Sequence, residues 1–503
     1  QALDWALEDS VRVWLHDKLS LTPRRAEVSY ASDLYGGISG SWLWPHTLTR
    51  VGNFDTPLTI GIPQILNEPW NPLNGSGWFY DTTFIRATSD NGVVLDPYTG
   101  LAWPQRIERA EVVVQQDLPV FKTHDWVTLQ FASSIAVPGD AWVDWDATAQ
   151  RFLTAAEVYA EPQTALRKTV VHYPADLYTT VTWHDGSPFS AADMVLNMIL
   201  TFDRYKEASP VYDPSEMWRY ENFMETFKGV RILSTNPLVI EHYNDAYQLD
   251  AELGIATWWP FYQTGPGAWH NLALGLLAEQ AGTGAFGQNK AYDNGVPQLD
   301  YVAWPGIIPL EGQLAAAQTD NFIPYAPTLE QYVTSAQATA RWTNLVDWHA
   351  ARGHFWIGTG PLYLEHALPS LGELSLKPYP AYPDAPDRWS DFTEPAIPEV
   401  AVDGPDSIVL GDEAIFTVEL TFDEQPYPHA DVEAVRYLVL DSGNRTPFSG
   451  NATPVDETDD LWRVTLSADM TRQLASGTNR LEVVVISKRV AVASFADHTF
   501  TDA

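Results

Sequence analysis

Residues 181–204 open Val181-Thr182-Trp183-His184-Asp185-Gly186-Ser187-Pro188-Phe189-Ser190-Ala191-Ala192-Asp193 and continue Met194-Val195-Leu196-Asn197-Met198-Ile199 to Arg204. The stretch reads as the end of a strand, a tight turn on Asp185-Gly186 and the start of a helix. Ser190 stands three residues before Asp193, a capping-box pattern in which the hydroxyl accepts from the Asp193 amide and the carboxylate reaches back. An acid in the first turn also suits the helix dipole. Behind it Met194, Val195, Met198, Ile199 and Phe202 form an apolar stripe, so one face of this helix is predicted core. His184 beside Asp185 invites a general-base reading. Adjacent residues on a strand point to opposite faces, however, so the two cannot act as a hydrogen-bonded dyad and are read as scaffold.

Outward from this segment, strand and helix patterns alternate. An apolar run at 58–62 reads as a buried strand opening into a long aromatic loop that ends at Trp78-Phe79-Tyr80. Alternation recurs at 110–114, 126–131 and 170–173, and helical periodicity at 191–204, 272–281 and 329–349. This mixture predicts an α/β or α+β body. After Trp389 the composition changes. Pro395, Pro398 and Pro405 mark a linker, and beyond it Ala414, Phe416, Val418, Leu420 and Phe422 alternate strictly. Val435, Tyr437 and Val439, then Trp462, Val464 and Leu466, then Leu481, Val483 and Val485 repeat the pattern between turn signals. The expectation is an all-β sandwich of immunoglobulin-like or fibronectin-III-like type.

The chain has 503 residues, too many for one ordinary core. Hydrophobic residues at 45% and charged residues at 19% are values of a folded protein. Lys and Arg total 29 against 65 Asp and Glu, a formal charge of −36 that repels nucleic acid and anionic lipid. No cysteine is present, which excludes disulfides, thiolate metal sites and a Cys nucleophile. No apolar run reaches the roughly 18 residues needed to span a membrane. Gln1 leads into an amphipathic pattern, with Leu3, Leu7, Val11, Trp14 and Leu15 on one face, so an upstream segment is expected to have been removed.

The segment from Val181 resembles the signature W-H-D-G-x-P-(F/L)-(S/T)-A-x-D-V of the family 5 extracytoplasmic solute-binding proteins, the peptide, nickel and oligosaccharide receptors of ABC importers. Gly358-Thr359-Gly360-Pro361-Leu362-Tyr363-Leu364 is similar to that family's G-T-G-P-Y-x-L run, and Leu374-Ser375-Leu376-Lys377-Pro378-Tyr379 to the strand after it. Leu58-Thr59-Ile60-Gly61-Ile62 with its loop to Tyr80 resembles the family's first strand and cleft-lining loop. Trp5-Ala6-Leu7-Glu8-Asp9-Ser10-Val11-Arg12-Val13-Trp14 is similar to a family C-terminal segment, although it comes first here. The resemblance spans about 58–382 and implies a class II periplasmic-binding-protein-like α/β body with mixed sheets. The expected organisation is an N-terminal helical segment at 1–50, the body at 51–392, a Pro-rich linker at 393–405 and the sandwich at 406–503.

Competing chemistry is weaker. Gly282-Thr283-Gly284-Ala285-Phe286-Gly287 satisfies G-x-G-x-x-G, but it follows a helix-like run where a dinucleotide site needs a strand. Asp140, Asp144 and Asp146, and Asp456, Glu457, Asp459 and Asp460, crowd two loops without the pattern of a calcium loop, and read as solvated acids. No catalytic triad or carboxylate pair is coherent, so no enzyme, cofactor or metal is expected. Aromatic residues carry the binding signal, with 21 Trp and 22 Tyr. Trp78 and Tyr80, and Trp258, Trp259 and Tyr262, sit in Gly/Pro-rich surroundings where rings can face a cleft and stack on a ligand. The expected function is that of an exported, extracellular or envelope protein capturing a small solute, an oligopeptide ahead of a sugar, for an ABC permease. The other reading is a structural subunit of a surface layer or filament that reuses the fold, self-assembling or bound to an upstream fragment of its own precursor.

Overall fold

The computed structural model describes residues 23–52, 57–443, 445–456 and 458–502. The expected opening helix, Asn444 and Glu457 therefore lie outside the described residues. The chain is mixed α/β with many sheets and is largely β.

The central sheet of the body has seven strands in the order Val127–Ala132, Arg109–Gln115, Arg167–His172, Leu238–Asn244, Phe227–Thr235, Trp142–Asp146 and Arg151–Thr154. The first two strands run parallel and every later pair is antiparallel. Period-2 alternation explains their packing: Ala110, Val112 and Val114 point into the core while Glu111, Val113 and Gln115 face the other side.

The helix of the opening segment spans Ala191–Asp203 and begins with a capping box, the Asp193 carboxylate accepting from the Ser190 amide at 2.9 Å and its hydroxyl at 3.1 Å. It buries more than the expected stripe. Met194, Val195, Leu196, Met198, Ile199 and Phe202 are all fully buried, so the helix is surrounded by core. Truncating any one to Ala would cost about 2–5 kcal/mol. Helix Trp269–Gln280 packs on it and on helices Ile308–Thr319 and Ser335–Arg352.

Two expected elements differ. Residues 58–62 form no strand; they lie between Pro57 and Pro63, which supply no N–H for a ladder, and Leu58 is exposed. The helix read at 329–349 starts later, at Ser335, where Thr334 and Gln337 form a capping box, and it ends at Gly353 with φ +73°.

C-terminal to the body lie two five-stranded sheets. One contains Glu399–Asp403, Ala414–Phe422 and Leu461–Leu466; the other contains Val432–Leu440, Thr478–Ser487 and Ser494–Asp502. Their inward residues form one core, with Phe416, Val418, Leu420 and Val464 from the first sheet and Val435, Val439, Leu481 and Val483 from the second. The stretch expected to be only linker supplies strand Glu399–Asp403, because Val400 and Val402 alternate with polar neighbours and pack on that core. This unit is tied to the body by the Ala491 amide, which donates to the Tyr98 carbonyl at 2.9 Å.

Candidate functional site

Two helices, two adjacent strands and a loop border an open cavity of about 460 Å³, within the range of about 300–1,000 Å³ typical of small-molecule sites. Helix Ala191–Asp203 contributes Asn197 and Thr201, one turn apart on the same face. Helix Met217–Thr226 contributes Phe223 and Thr226, again on one face. Strand Leu238–Asn244 contributes His242 and Asn244, two residues apart and so on one side of the sheet, beside Phe227 of the neighbouring strand. The loop after that strand closes the cavity with Trp258, Trp259 and Phe261.

The loop is held in an uncommon shape. Trp258 adopts φ +56°, a left-handed conformation that bulky side chains rarely take. The Asn197 side-chain amide donates to the Trp258 carbonyl at 3.3 Å and the Trp259 carbonyl at 3.0 Å. Trp259 stacks on Phe189 at 4.5 Å with an interplanar angle of 6°. Helix Ala191–Asp203 thus reaches the cavity through Asn197.

No ionised side chain lines this space. His242 is 4% exposed, and burial, with the Arg167 guanidinium adding to it, pushes its pKa down to about 3, so the imidazole is neutral. It makes ring contacts with Phe227 and Trp258. Its Nδ1 has no hydrogen-bond partner, and neither does the Trp258 indole Nε1. Buried polar atoms are usually paired, and each unpaired one costs about 1–3 kcal/mol. Here two of them belong to side chains that line one cavity.

Of the residues singled out in the sequence, Trp258 and Trp259 line the cavity. Tyr262 is buried outside its lining, and its hydroxyl has no partner. Trp78 and Tyr80 are elsewhere, at the start of helix Phe79–Ala87, in edge contact with each other at 5.9 Å. The structure therefore brings two of these five together. His242, Asn244 and Asn197 went unsingled. The available signals were a polar pair at period 2 following Ile240 and a lone Asn on an apolar helix.

His184 and Asp185 have separate partners. The His184 Nδ1 accepts from the Gly358 amide at 3.1 Å and its Nε2 bonds the Gly360 carbonyl at 3.0 Å, which assigns the proton to Nε2. Burial pushes this imidazole down to about 4. The two most diagnostic motifs of the sequence are thus stapled to each other. A Cβ on Gly358 would lie 1.8 Å from the Thr88 carbonyl oxygen, and one on Gly360 2.2 Å from the Ser89 amide, so both positions demand glycine.

Asp185 instead meets His270 Nε2 at 2.8 Å. His270 Nδ1 lies 3.3 Å from Arg341, and Arg341 contacts both Asp193 oxygens at 2.7 Å. Arginine only donates, so His270 Nδ1 accepts and its Nε2–H points at Asp185. Burial likewise lowers His270, consistent with a neutral ring. Burial alone would raise Asp185, but His270, the Ser187 amide and Arg341 bring it below its ordinary value. All four side chains are at most 4% exposed, and none of them lines the cavity at Trp258.

The acidic loop residues are paired with protein groups: Asp140 with Arg231 at 2.9 Å, Asp144 with Lys206, and Asp146 with the amides of Thr148 and Ala149. Among the described residues, no group of three or more His, Asp or Glu is placed to hold a metal ion, and no helix is long and apolar enough to cross a membrane. The G-x-G-x-x-G run follows helix Trp269–Gln280 and not a strand.

No family model and no curated protein matches the chain. Partial likenesses to solved structures exist. OgpA from Akkermansia muciniphila matches at 16% identity and TM-score 0.16, over 21% of this chain and 28% of that one, so less than a third of OgpA is spanned. A CARDB domain from Pyrococcus furiosus in complex with di-metal ions matches at 14% identity and TM-score 0.14, over 21% of this chain and 90% of that one. AggA, the major subunit of aggregative adherence fimbriae type I from Escherichia coli, matches at 10% identity and TM-score 0.14, over 21% of this chain and 94% of that one. Likenesses of this size carry no argument about fold or function.

Proposed function

We propose that the chain is an exported solute-binding protein that holds a small ligand in the cavity at Trp258 and His242, makes or breaks no bond in it, and serves an ABC importer. One observation carries the reading. Among the buried polar atoms left without partners, two belong to side chains, His242 and Trp258, that line a cavity walled by aromatic rings. The sequence resemblance supports the same reading, and with it a periplasmic-binding-protein-like body carrying an immunoglobulin-like or fibronectin-III-like sandwich at the C-terminus. The paired core of the two C-terminal sheets supports that last assignment. The expected oligopeptide is narrowed: a zwitterion would find no charged partner inside this cavity, so only an uncharged part of a peptide would suit it.

Native mass spectrometry of the protein purified from its source tests the proposal. A stoichiometric small adduct, lost on Trp258→Leu, is the expected result. An adduct-free protein with no thermal stabilisation by any solute extract would overturn it.

A second reading, the structural subunit, has one observation in its favour. Strand Val127–Ala132 is an outer strand of the seven-stranded sheet, without charge or proline, and Phe131 on it is exposed. Edges of that kind are the ones that pair with other chains. A concentration-independent monomer in sedimentation would remove this reading.

A further inference from the structure

Segment 245–254 joins strand Leu238–Asn244 to the loop of Trp258 and is pinned from one side by two acids. Ala246 and Gly254, toward its two ends, line the cavity. Asp250 and Glu252, between them, are 6% and 0% exposed. Both meet the connection between strands Arg109–Gln115 and Val127–Ala132. The Thr123 hydroxyl donates to Asp250 Oδ2 at 2.9 Å, and the Thr123 and His124 amides donate to Glu252 Oε1, the first at 2.7 Å. Phe121 brackets Asp250 with its backbone, its amide donating to the Leu249 carbonyl at 3.0 Å and its carbonyl accepting from the Ala251 amide at 2.8 Å. Glu252 Oε2 meets no donor, and the carboxylate within reach of this side chain is that of Asp250.

Charge around the pair does not balance. Arg167, from strand Arg167–His172, donates to the Ala251 carbonyl at 2.7 Å and attracts both acids. Burial pushes it down to about 10, so it keeps its charge at pH 8. Lys122 is engaged by Asp125 at 2.8 Å, and Asp245 by Lys228 at 3.2 Å. His124, near Asp250, Asp96 and Asp125, is held below its ordinary value by burial, and His242, which faces Arg167, is neutral. Two buried carboxylates facing one guanidinium leave a negative charge in excess, and a proton shared between them removes it. Burial, and then Asp250, hold the Glu252 carboxyl above its ordinary range.

We infer that Asp250 and Glu252 form a proton-sharing latch, which fastens segment 245–254 to Thr123 and His124 while one proton is held and loosens it when that proton leaves. The sign follows from a carboxyl raised in the folded chain: the hold is complete below the ordinary carboxylate range and is lost as pH rises through the folded value. Loosening frees one wall of the cavity, whether or not a solute occupies it.

Hydrogen–deuterium exchange of the full chain, read by mass spectrometry at pH 5 and pH 8 with labelling times scaled for intrinsic rates, tests the latch. Peptides covering 117–126 and 245–254 should lose protection by about tenfold or more between the two, with helix Ala191–Asp203 as reference. Glu252→Gln keeps an oxygen for the Thr123 and His124 amides and turns an N–H toward Asp250 in place of the shared proton, so its segment should stay protected at both. Asp250→Asn, which removes the repulsion from the other side, should behave alike. A protonated-carboxyl band that titrates in the infrared difference spectrum of the parent chain should be missing from both variants. Protection of 245–254 that does not change with pH in the parent chain overturns the latch. So does a pH response that either folded variant retains in full.

Discussion

Two polar clusters lie a short way apart in the body and have opposite character. In the first, Asp185, His270, Arg341 and Asp193 are buried and joined contact for contact, the neutral His270 ring linking the Asp185 carboxylate to the Arg341–Asp193 ion pair. In the second, His242, Trp258, Asn197 and Asn244 are uncharged and partly unmatched, around open space. The first contains the residue types associated with catalysis, and each of them is at most 4% exposed and paired within the fold. The second contains none of the usual catalytic carboxylates and borders the open space in which the proposed ligand would sit. Completeness of partnering, more than residue type, separates the two.

The largest effect that tests this contrast is acid sensitivity. Burial holds His46, His242 and His354 down to about 3 and His184 to about 4, against an ordinary 6.5. As pH falls through 6.5 the unfolded chain takes up protons at these positions and the folded chain does not, so the stability they contribute is complete above 6.5 and is lost as pH falls toward about 4 for His184 and about 3 for the others. Asp300, pushed up to about 7 by burial, works the other way, gaining folded-state protonation over part of that window. Burial raises Asp81, Asp90, Asp203, Glu252 and Glu279 in the same sense as Asp300 and lowers His124 and His270 with the four imidazoles; at about 1.4 kcal/mol per pH unit for each fully shifted group, the carboxyls offset part of the imidazole loss, and stability is expected to fall between pH 7 and pH 5. Urea unfolding across that range checks it. Unchanged midpoints would show that the imidazoles are not held neutral.

Next in size is the first cluster itself. Arg341→Met removes the guanidinium that contacts both Asp193 oxygens and leaves a buried carboxylate beside a helix it also caps. The expected loss is about 3–5 kcal/mol. Because this cluster has no contact with the cavity, ligand affinity of the folded variant should be unchanged. A variant that keeps its stability but loses binding would reverse the roles assigned to the two clusters.

Legibility in the sequence follows the same division. Strands of the two C-terminal sheets were readable because Phe416, Val418 and Leu420, or Leu481, Val483 and Val485, alternate on a surface buried on one side only. Helix Ala191–Asp203 was readable from its cap and its apolar run. Residues 58–62 were misread, since apolar character alone does not supply a partner strand. Trp258 and Trp259 were found because they are aromatic, whereas His242 and Asn244 needed the neighbouring strand and the returning loop to become a lining. Trp78, Tyr80 and Tyr262 carry the same aromatic signal without the cavity. Local pattern reports an element; a site assembled from helix, strand and loop appears only once the chain is folded.

A smaller effect bears on how the cavity is held. Asn197→Leu deletes the amide that bonds the Trp258 and Trp259 carbonyls, while filling a similar volume. A loss of about 1–2 kcal/mol is expected from the unsatisfied carbonyls, together with a red shift in tryptophan emission as the loop loosens around Trp258. An unaltered spectrum would mean that the φ +56° conformation is set by packing alone.

Smallest of all is the pairing of the acidic surface. Arg231 meets Asp140, which is 71% exposed, and also Glu241, which is 5% exposed, at 2.7 Å. Asp140→Asn removes the exposed partner and keeps the buried one. Exposed ion pairs are worth about 0–1 kcal/mol, because water screens them and ordering two long side chains offsets the attraction. The expected change is below about 1 kcal/mol and vanishes in molar salt. Glu241→Gln, at the other end of the same guanidinium, should cost more, since the buried carboxylate also accepts from the Tyr243 hydroxyl at 2.5 Å. Equal losses for the two variants would show that burial does not set the value of a charge in this protein, and would remove the ground on which the matched and unmatched clusters were told apart.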